Sequence, residues 1–254
     1  MGCWKQENSN TWTFPTLILC LYGFFYMMKP SEPFLAPYLT GPDKNLTADQ
    51  VWKLLYWSLW WALATAGFYQ VLNYIQVLWD FQAPSHSSAV YNGAVEALAT
   101  FLGSITSIAV GYVKVNWDLS GELALGIFSA MDAGSLFLMY FTGNIWACYA
   151  GYLAFKACYM LLITIATFQI AVNLSMERYA LMFGFNNFVA LVIQTILTVV
   201  VVDSRGLGLD ISTQFLIYGS YFAVIAGIFL IRSTYTIISN KRSNTRAAGE
   251  STGR

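Results

Sequence analysis

"GPDKNLTADQVWKLLYWSLWW", residues 41–61, sets a polar loop directly against a tryptophan-rich apolar run. The loop carries an N-x-T glycosylation acceptor, Asn45-Leu46-Thr47, a signal that belongs to an extracellular surface. The run beyond it continues to about residue 78 with few charges, which is enough to cross a bilayer, because a spanning helix needs roughly 20 predominantly apolar residues. The rest of the chain has the same character. Its 254 residues are 57% apolar, 17% aromatic and only 10% charged, against about 25% charged in soluble domains. The fold class is therefore an all-α membrane protein, with the lipid bilayer as its first partner.

Composition also excludes classes of function. The net charge is zero, so composition gives no sign of nucleic acid either way, and no nucleic-acid partner is expected. His86 is the single histidine, so a His-based zinc site is not expected. No glycine-rich phosphate loop and no nucleophile elbow occurs; neither an enzyme nor a cofactor is expected. Cys20, Cys148 and Cys158 sit in apolar runs and read as packing residues. Cys3 is a candidate for palmitoylation, whereas Gln6 stands where a myristoylation motif wants Ser or Thr.

Working outward from residues 41–61, the preceding stretch from Phe14 to Leu39 reads as a first spanning helix whose last third is interrupted by Pro30, Pro33 and Pro37, which kink a helix and free backbone carbonyls. Downstream, spanning helices are expected at about 54–78, 89–113, 119–141, 145–171, 179–202 and 213–232. Three regions follow: the first helix and its loop over 1–50, a six-helix bundle over 51–235, and a polar, basic tail over 236–254 expected to be disordered and cytoplasmic.

Lysine and arginine orient the six helices, since cytoplasmic loops carry the excess of both. One side of the bundle holds Lys53, Lys114, Arg178, Arg232, Lys241, Arg242, Arg246 and Arg254; the other holds Arg205. The loops "KVNWD" and "NLSMER" and the C-terminus thus face the cytoplasm. Lys53 then lies on the cytoplasmic side within a few residues of Asn45, whose sequon asks for the opposite side. The charge bias and the sequon cannot both hold across this junction. A second sequon begins at Asn173, also on the side the charges make cytoplasmic.

Ionisable residues inside a membrane are costly and default to functional hypotheses. Three stand out: Glu96, Asp132 and Lys156. At about 1.5 Å of rise per residue they could share one layer, and an ion pair of Lys156 with either acid would be a structural explanation. Thr65, Tyr69, Asn73 and Gln76 form a polar stripe at helical spacing, and Asn92, Glu96, Thr100 and Ser107 approximate another. Two facing stripes with one acid read as lining a water-accessible cavity, with interhelical hydrogen bonding as the alternative. Ala99, Gly103, Ser107 and Gly111 recur every four residues and predict close packing against a neighbouring helix. Two acids against one base, with the aromatic faces of Trp57, Trp60, Trp61, Tyr69, Tyr91, Tyr152 and Tyr159, favour a cationic or neutral organic substrate.

Long runs carry a family resemblance. "PTLILCLYGFFYMMKPSEPFLAPYLTGPDKNLT" resembles the first helix and following loop of the reduced folate carrier family. "YWSLWWALATAGFYQVLNYIQVLWD", "YNGAVEALAT", "GYVKVNWDL", "NIWACYAGYL" and "MLLITIATFQIAVNL" are similar to that family's second half. The resemblance implies a major-facilitator architecture, with two six-helix halves, both ends cytoplasmic and the substrate bound between the halves. It implies a plasma-membrane carrier of vitamins, either thiamine as a cation or reduced folates as anions. It implies that Glu96 faces the thiamine cation, that Asn73 is a neighbouring polar contact, that Glu32 contributes to the outer part of the pathway and that Asn45 is the glycosylated site. It also implies that helices two to six are missing at the Gln50–Val51 boundary, leaving a C-terminal six-helix half plus one N-terminal helix. Removing an odd number of helices would create the conflict of sidedness that the charges reveal. Two functional readings follow. One is a thiamine transporter that needs a partner half, from a full-length carrier or a second copy. The other is a non-transporting membrane fragment that binds or down-regulates the full-length carrier.

Overall fold

The computed structural model describes residues 48–84, 91–112, 117–173 and 176–252. The expected first helix (14–39), Glu32, Asn45, Cys3, Cys20, His86 and Lys114 lie outside the described residues. The chain divides into two units, Met1–Lys53 and Leu54–Arg254, and the helical bundle belongs to the second.

The described elements are all helical: α1 (Ala48–Gln82), α2 (Asn92–Tyr112), α3 (Trp117–Phe141), α4 (Ile145–Asn173), α5 (Met176–Leu197) and α6 (Ile211–Thr252). Helix α5 ends in a π turn over Thr198–Val202, in which the Asp203 N–H reaches back to the Thr198 carbonyl at 3.0 Å. Asn144 begins α4 by accepting the Trp146 N–H on Oδ1 at 2.9 Å. Asp210 begins α6 by accepting the Thr213 N–H at 3.1 Å and the Thr213 hydroxyl at 2.7 Å. These two hydrogen bonds hold the exposed Asp210 carboxyl below the usual carboxylate range.

The expected helices are present with different bounds. Helices α2 to α6 each contain a segment long and apolar enough to span a membrane. Helix α1, expected to span over 54–78, does not reach the same mean hydropathy. Its Trp and Tyr residues weigh little on such scales, and Gln70, Asn73 and Gln76 lower it further. Yet α1 supplies much of the core: Trp60, Ala64, Val71, Leu78 and Trp79 are all buried. The tail differs too. Disorder was the expectation over 236–254, whereas α6 runs on to Thr252. The stretch contains no proline, and Lys, Arg, Ala and Glu propagate a helix already nucleated by an apolar span.

Helix α1 sits among the other five. The Trp60 indole N–H donates to the Ser129 hydroxyl of α3 at 3.0 Å. The hydroxyls of Thr65 and Tyr159 of α4 lie 2.9 Å apart. The Tyr221 hydroxyl of α6 donates to the Leu63 carbonyl at 2.8 Å. Trp61 packs on Phe183 of α5 with ring centroids 4.7 Å apart, and Asn92 of α2 donates to Gln76 at 3.0 Å. Trp57, Trp60 and Trp61 are thus packing residues, each under 10% exposed, and offer no open face to a cation.

The small-residue face of α2 packs on α4, as its period predicts. Ala99 is fully buried. A Cβ on Gly103 would stand 3.0 Å from the Met160 side chain, and Ser107 accepts from the Thr164 hydroxyl at 3.0 Å. Gly111, the last of the series, faces open space.

Candidate functional site

The close approach of α2 to α4 continues from Gly103 toward the N-terminal ends of both helices as two facing polar rows. On α2, Asn92, Glu96 and Thr100 fall four residues apart; on α4, Tyr149, Tyr152 and Lys156 fall three and four apart. Such spacing places each set on one helix face. The rows pair in order. The Tyr149 hydroxyl donates to Asn92 Oδ1 at 2.7 Å. The Tyr152 hydroxyl donates to Glu96 Oε2 at 2.6 Å. Lys156 Nζ forms an ion pair with Glu96 Oε1 and donates to the Thr100 hydroxyl at 3.2 Å. The same ammonium lies 5.7 Å from the centroid of the Tyr152 ring. Gln76 of α1 extends the row through Asn92, and Trp79 backs it, its indole edge-on to Tyr149 at 5.0 Å and to Tyr152 at 5.2 Å.

The two partners of the ion pair are not equally covered. The Lys156 side chain is 6% exposed and that of Glu96 is 42% exposed. The ammonium is enclosed by protein, while the carboxylate opens to the outside of the described bundle. An approaching charged group meets the acid before the base.

The remaining residues expected at the site are distributed differently. Asn73 is exposed, one turn before Gln76, and no hydrogen bond joins it to Glu96 among the described residues. Tyr69 is half-buried, with its ring 6.1 Å from that of Phe68. Thr65, at the start of the same stripe, turns inward to Tyr159, and Ser107 is bound to Thr164. The stripes therefore do not form one lining: they bond to each other at Gln76 and Asn92, while Glu96 faces Tyr152 and Lys156 of α4. Glu32 lies outside the described residues.

Asp132 belongs to a separate place. It is fully buried in α3, and neither carboxyl oxygen has a hydrogen-bond partner among the described residues. Among the described residues Lys156 pairs with Glu96, not with Asp132. Of the two pairings open to Lys156 from sequence, the structure forms the one with Glu96. A buried carboxyl without partners is destabilising. Replacing Asp132 by leucine, which keeps the branched shape with two methyl groups in place of the oxygens, is expected to raise the stability of the folded chain by about 1–3 kcal/mol. Unfolding midpoints in detergent check this; a lower midpoint for Asp132→Leu would mean that the carboxyl has a stabilising partner.

Tyr149 is the member of the cluster that the sequence did not single out, and Tyr152 and Thr100 were read there only as an aromatic face and a stripe position, not as partners of Glu96 and Lys156. The signal was there in the matched spacing of the two rows, but it speaks only when the facing helix is known. Among the described residues no group of His, Cys, Asp and Glu could hold a metal ion.

Comparison with known proteins agrees with this architecture. The family model for the reduced folate carrier matches residues 10–54 and 52–217, two segments that meet at the loop–helix junction. Thiamine transporter 2 of Macaca fascicularis is 73% identical over 189 residues, covering 74% of this chain and 38% of that protein. Human thiamine transporter 1 is 52% identical over 211 residues, covering 79% of this chain and 42% of that protein. The human reduced folate transporter is 44% identical over 183 residues, covering 70% of this chain and 31% of that protein. The chain thus spans less than half the length of each of these relatives, all of them transporters by name. With its helical bundle and a family match over most of its length, this chain belongs to the reduced folate carrier family.

Proposed function

We propose that the chain forms the C-terminal wall of a thiamine pathway, as a multi-pass protein of the plasma membrane. In this reading Glu96 is the acid that receives the thiamine cation, and Asn73 and Tyr69 lie along the same exposed side of α1. Glu32 and a glycosylated Asn45, both implied by family resemblance, belong to the first helix and its loop. The observation that carries the reading is the asymmetry of the ion pair, with its acid open and its base enclosed. An anion such as a reduced folate would meet a carboxylate first and be repelled, whereas a cation would be attracted. The relatives named for thiamine support the same substrate.

Alternating access rocks one half of a carrier against the other around a central site. With less than half the length of its relatives, this chain supplies one wall. We infer that it binds thiamine weakly and does not transport it alone. Cells without endogenous thiamine uptake, expressing only this chain, are expected to take up thiamine at background rate. The purified chain in lipid nanodiscs is expected to bind thiamine, with at least tenfold loss on Glu96→Gln. Unchanged binding in that variant removes Glu96 from the site. A second reading, in which the chain associates with a full-length carrier and lowers its surface level, is favoured by the exposed polar positions Asn73, Gln76 and Thr100 on α1 and α2. Polar groups facing lipid are costly and invite a covering partner. Surface labelling of full-length carrier with and without this chain separates the two.

A further inference from the structure

We propose that Lys156 is a resident counter-ion of Glu96 that an organic cation must displace, and that Thr100 and the ring face of Tyr152 hold the ammonium once it is displaced. This rests on the reading of Glu96 as the acid that meets the substrate, and adds to it a residue that sets affinity and charge selectivity.

Lys156 Nζ touches three groups: the Glu96 carboxylate, the Thr100 hydroxyl at 3.2 Å and the Tyr152 ring at 5.7 Å. Two of the three do not involve the acid. The hydroxyl accepts a hydrogen bond, and the ring face attracts a cation through its quadrupole. The ammonium thus has a second resting place within its present reach, which needs no movement of helix backbone. The carboxylate is arranged in the complementary way. Oε1 faces Lys156 and Oε2 accepts from Tyr152, but a carboxylate offers about four acceptor positions, and this one is 42% exposed. A ligand cation can approach from the open side while Lys156 stays behind.

Both cations cannot be fully satisfied by one carboxylate. Like charges a few ångströms apart repel strongly where water is scarce. When a cation arrives, Lys156 must yield Glu96 and shift toward Thr100 and Tyr152. The site therefore carries a built-in competitor, tethered to α4 and present at fixed concentration. It keeps the acid paired when no ligand is bound, and it lowers the affinity for every monocation by the same mechanism. A neutral molecule of the same shape does not compete with it.

The test is equilibrium binding of thiamine to the full chain in lipid nanodiscs at neutral pH. Thiochrome, the neutral oxidation product of thiamine, serves as the uncharged comparison. Lys156→Met keeps an unbranched side chain and removes the charge; it is expected to tighten thiamine binding at least about tenfold and to leave thiochrome binding within about twofold. Lys156→Arg keeps the charge and is expected to stay within about threefold of the wild-type chain. Thr100→Val leaves the ion pair but weakens the second resting place, and should weaken thiamine binding about threefold. Where Lys156→Met does not yield folded protein, Lys156→Gln is expected to shift affinity in the same direction by a smaller factor. A gain of thiamine binding in Lys156→Met from an undetectable wild-type level also supports the proposal. Unchanged or weaker thiamine binding in Lys156→Met overturns it, as does equal tightening of thiochrome. Glu96→Gln separates the two levels of the argument. If it leaves thiamine binding intact, the Glu96 reading and this proposal fall together; if it impairs binding while Lys156→Met does not improve it, only the competitor falls.

Discussion

Replacing Glu96 by alanine is expected to destabilise the folded chain by about 3 kcal/mol, and replacing Lys156 by methionine in the same molecule should restore most of the loss. The reason lies in what Glu96→Ala leaves behind. Lys156 is 6% exposed and reaches into the α2–α4 seam, where Thr100 and the Tyr152 ring remain as its only contacts among the described residues. A buried ammonium without its counter-ion costs several kcal/mol, with the range for broken buried pairs at about 3–5 kcal/mol. The lower end applies because Glu96 itself is partly in solvent. Tyr152 also loses its acceptor, since its hydroxyl donates to Glu96 Oε2 at 2.6 Å. The double variant removes both charges and leaves an apolar seam, so the effects of the single changes should be strongly non-additive. Reversible unfolding in mixed detergent, for the wild-type chain and the three variants, gives the coupling directly. Simple additivity would show that the pair contributes nothing as a pair. The same cost explains why the ion pair forms in the absence of ligand, and it sets what a ligand cation must exceed to open it.

Fold and site differ in how much of each is written in the sequence. The six described helices were legible because each spanning segment is a long apolar run. The bounds were not: α6 overran its apolar run, and residues 236–252 contain no proline to end it. Helix α1 was legible as helix, but its place was not. A long run with few charges put it among the spans, whereas tryptophan and glutamine side chains lower its hydropathy and make it the helix that bonds to its neighbours. At the site, Glu96 and Lys156 were conspicuous as charges, yet periodicity within one helix does not say which helix it faces. The choice between Glu96 and Asp132 as partner of Lys156 turned on one fact, that the small-residue face of α2 packs on α4. Once Gly103 is set on Met160, Glu96 two turns earlier must lie near Lys156 one turn earlier. Asp132, on α3, has no such constraint, and its isolation has no counterpart in the sequence pattern.

Trp60→Ala should be the most damaging single substitution in the core, at about 3–5 kcal/mol. Trp60 is fully buried in α1, the helix that touches all the others, so little of the space left by its indole can be refilled by a shift of one neighbour. The change has a polar component as well. The Trp60 N–H donates to Ser129 at 3.0 Å, and Ser129 is itself fully buried. Trp60→Phe isolates that component: it keeps most of the ring volume, loses the hydrogen bond, and is expected to cost about 1 kcal/mol. Trp52 provides the control on the same helix. It is 66% exposed, and Trp52→Ala should change stability by no more than about 0.5 kcal/mol. Denaturation midpoints in one detergent system rank the three variants. In a bilayer the lipid tails are as apolar as the core, so burial alone gives no drive between helices, and tight packing must supply it. If Trp60→Ala and Trp52→Ala proved equally mild, α1 would not hold the bundle together, and the wall on which Glu96 stands would owe its shape to α2 and α4 alone.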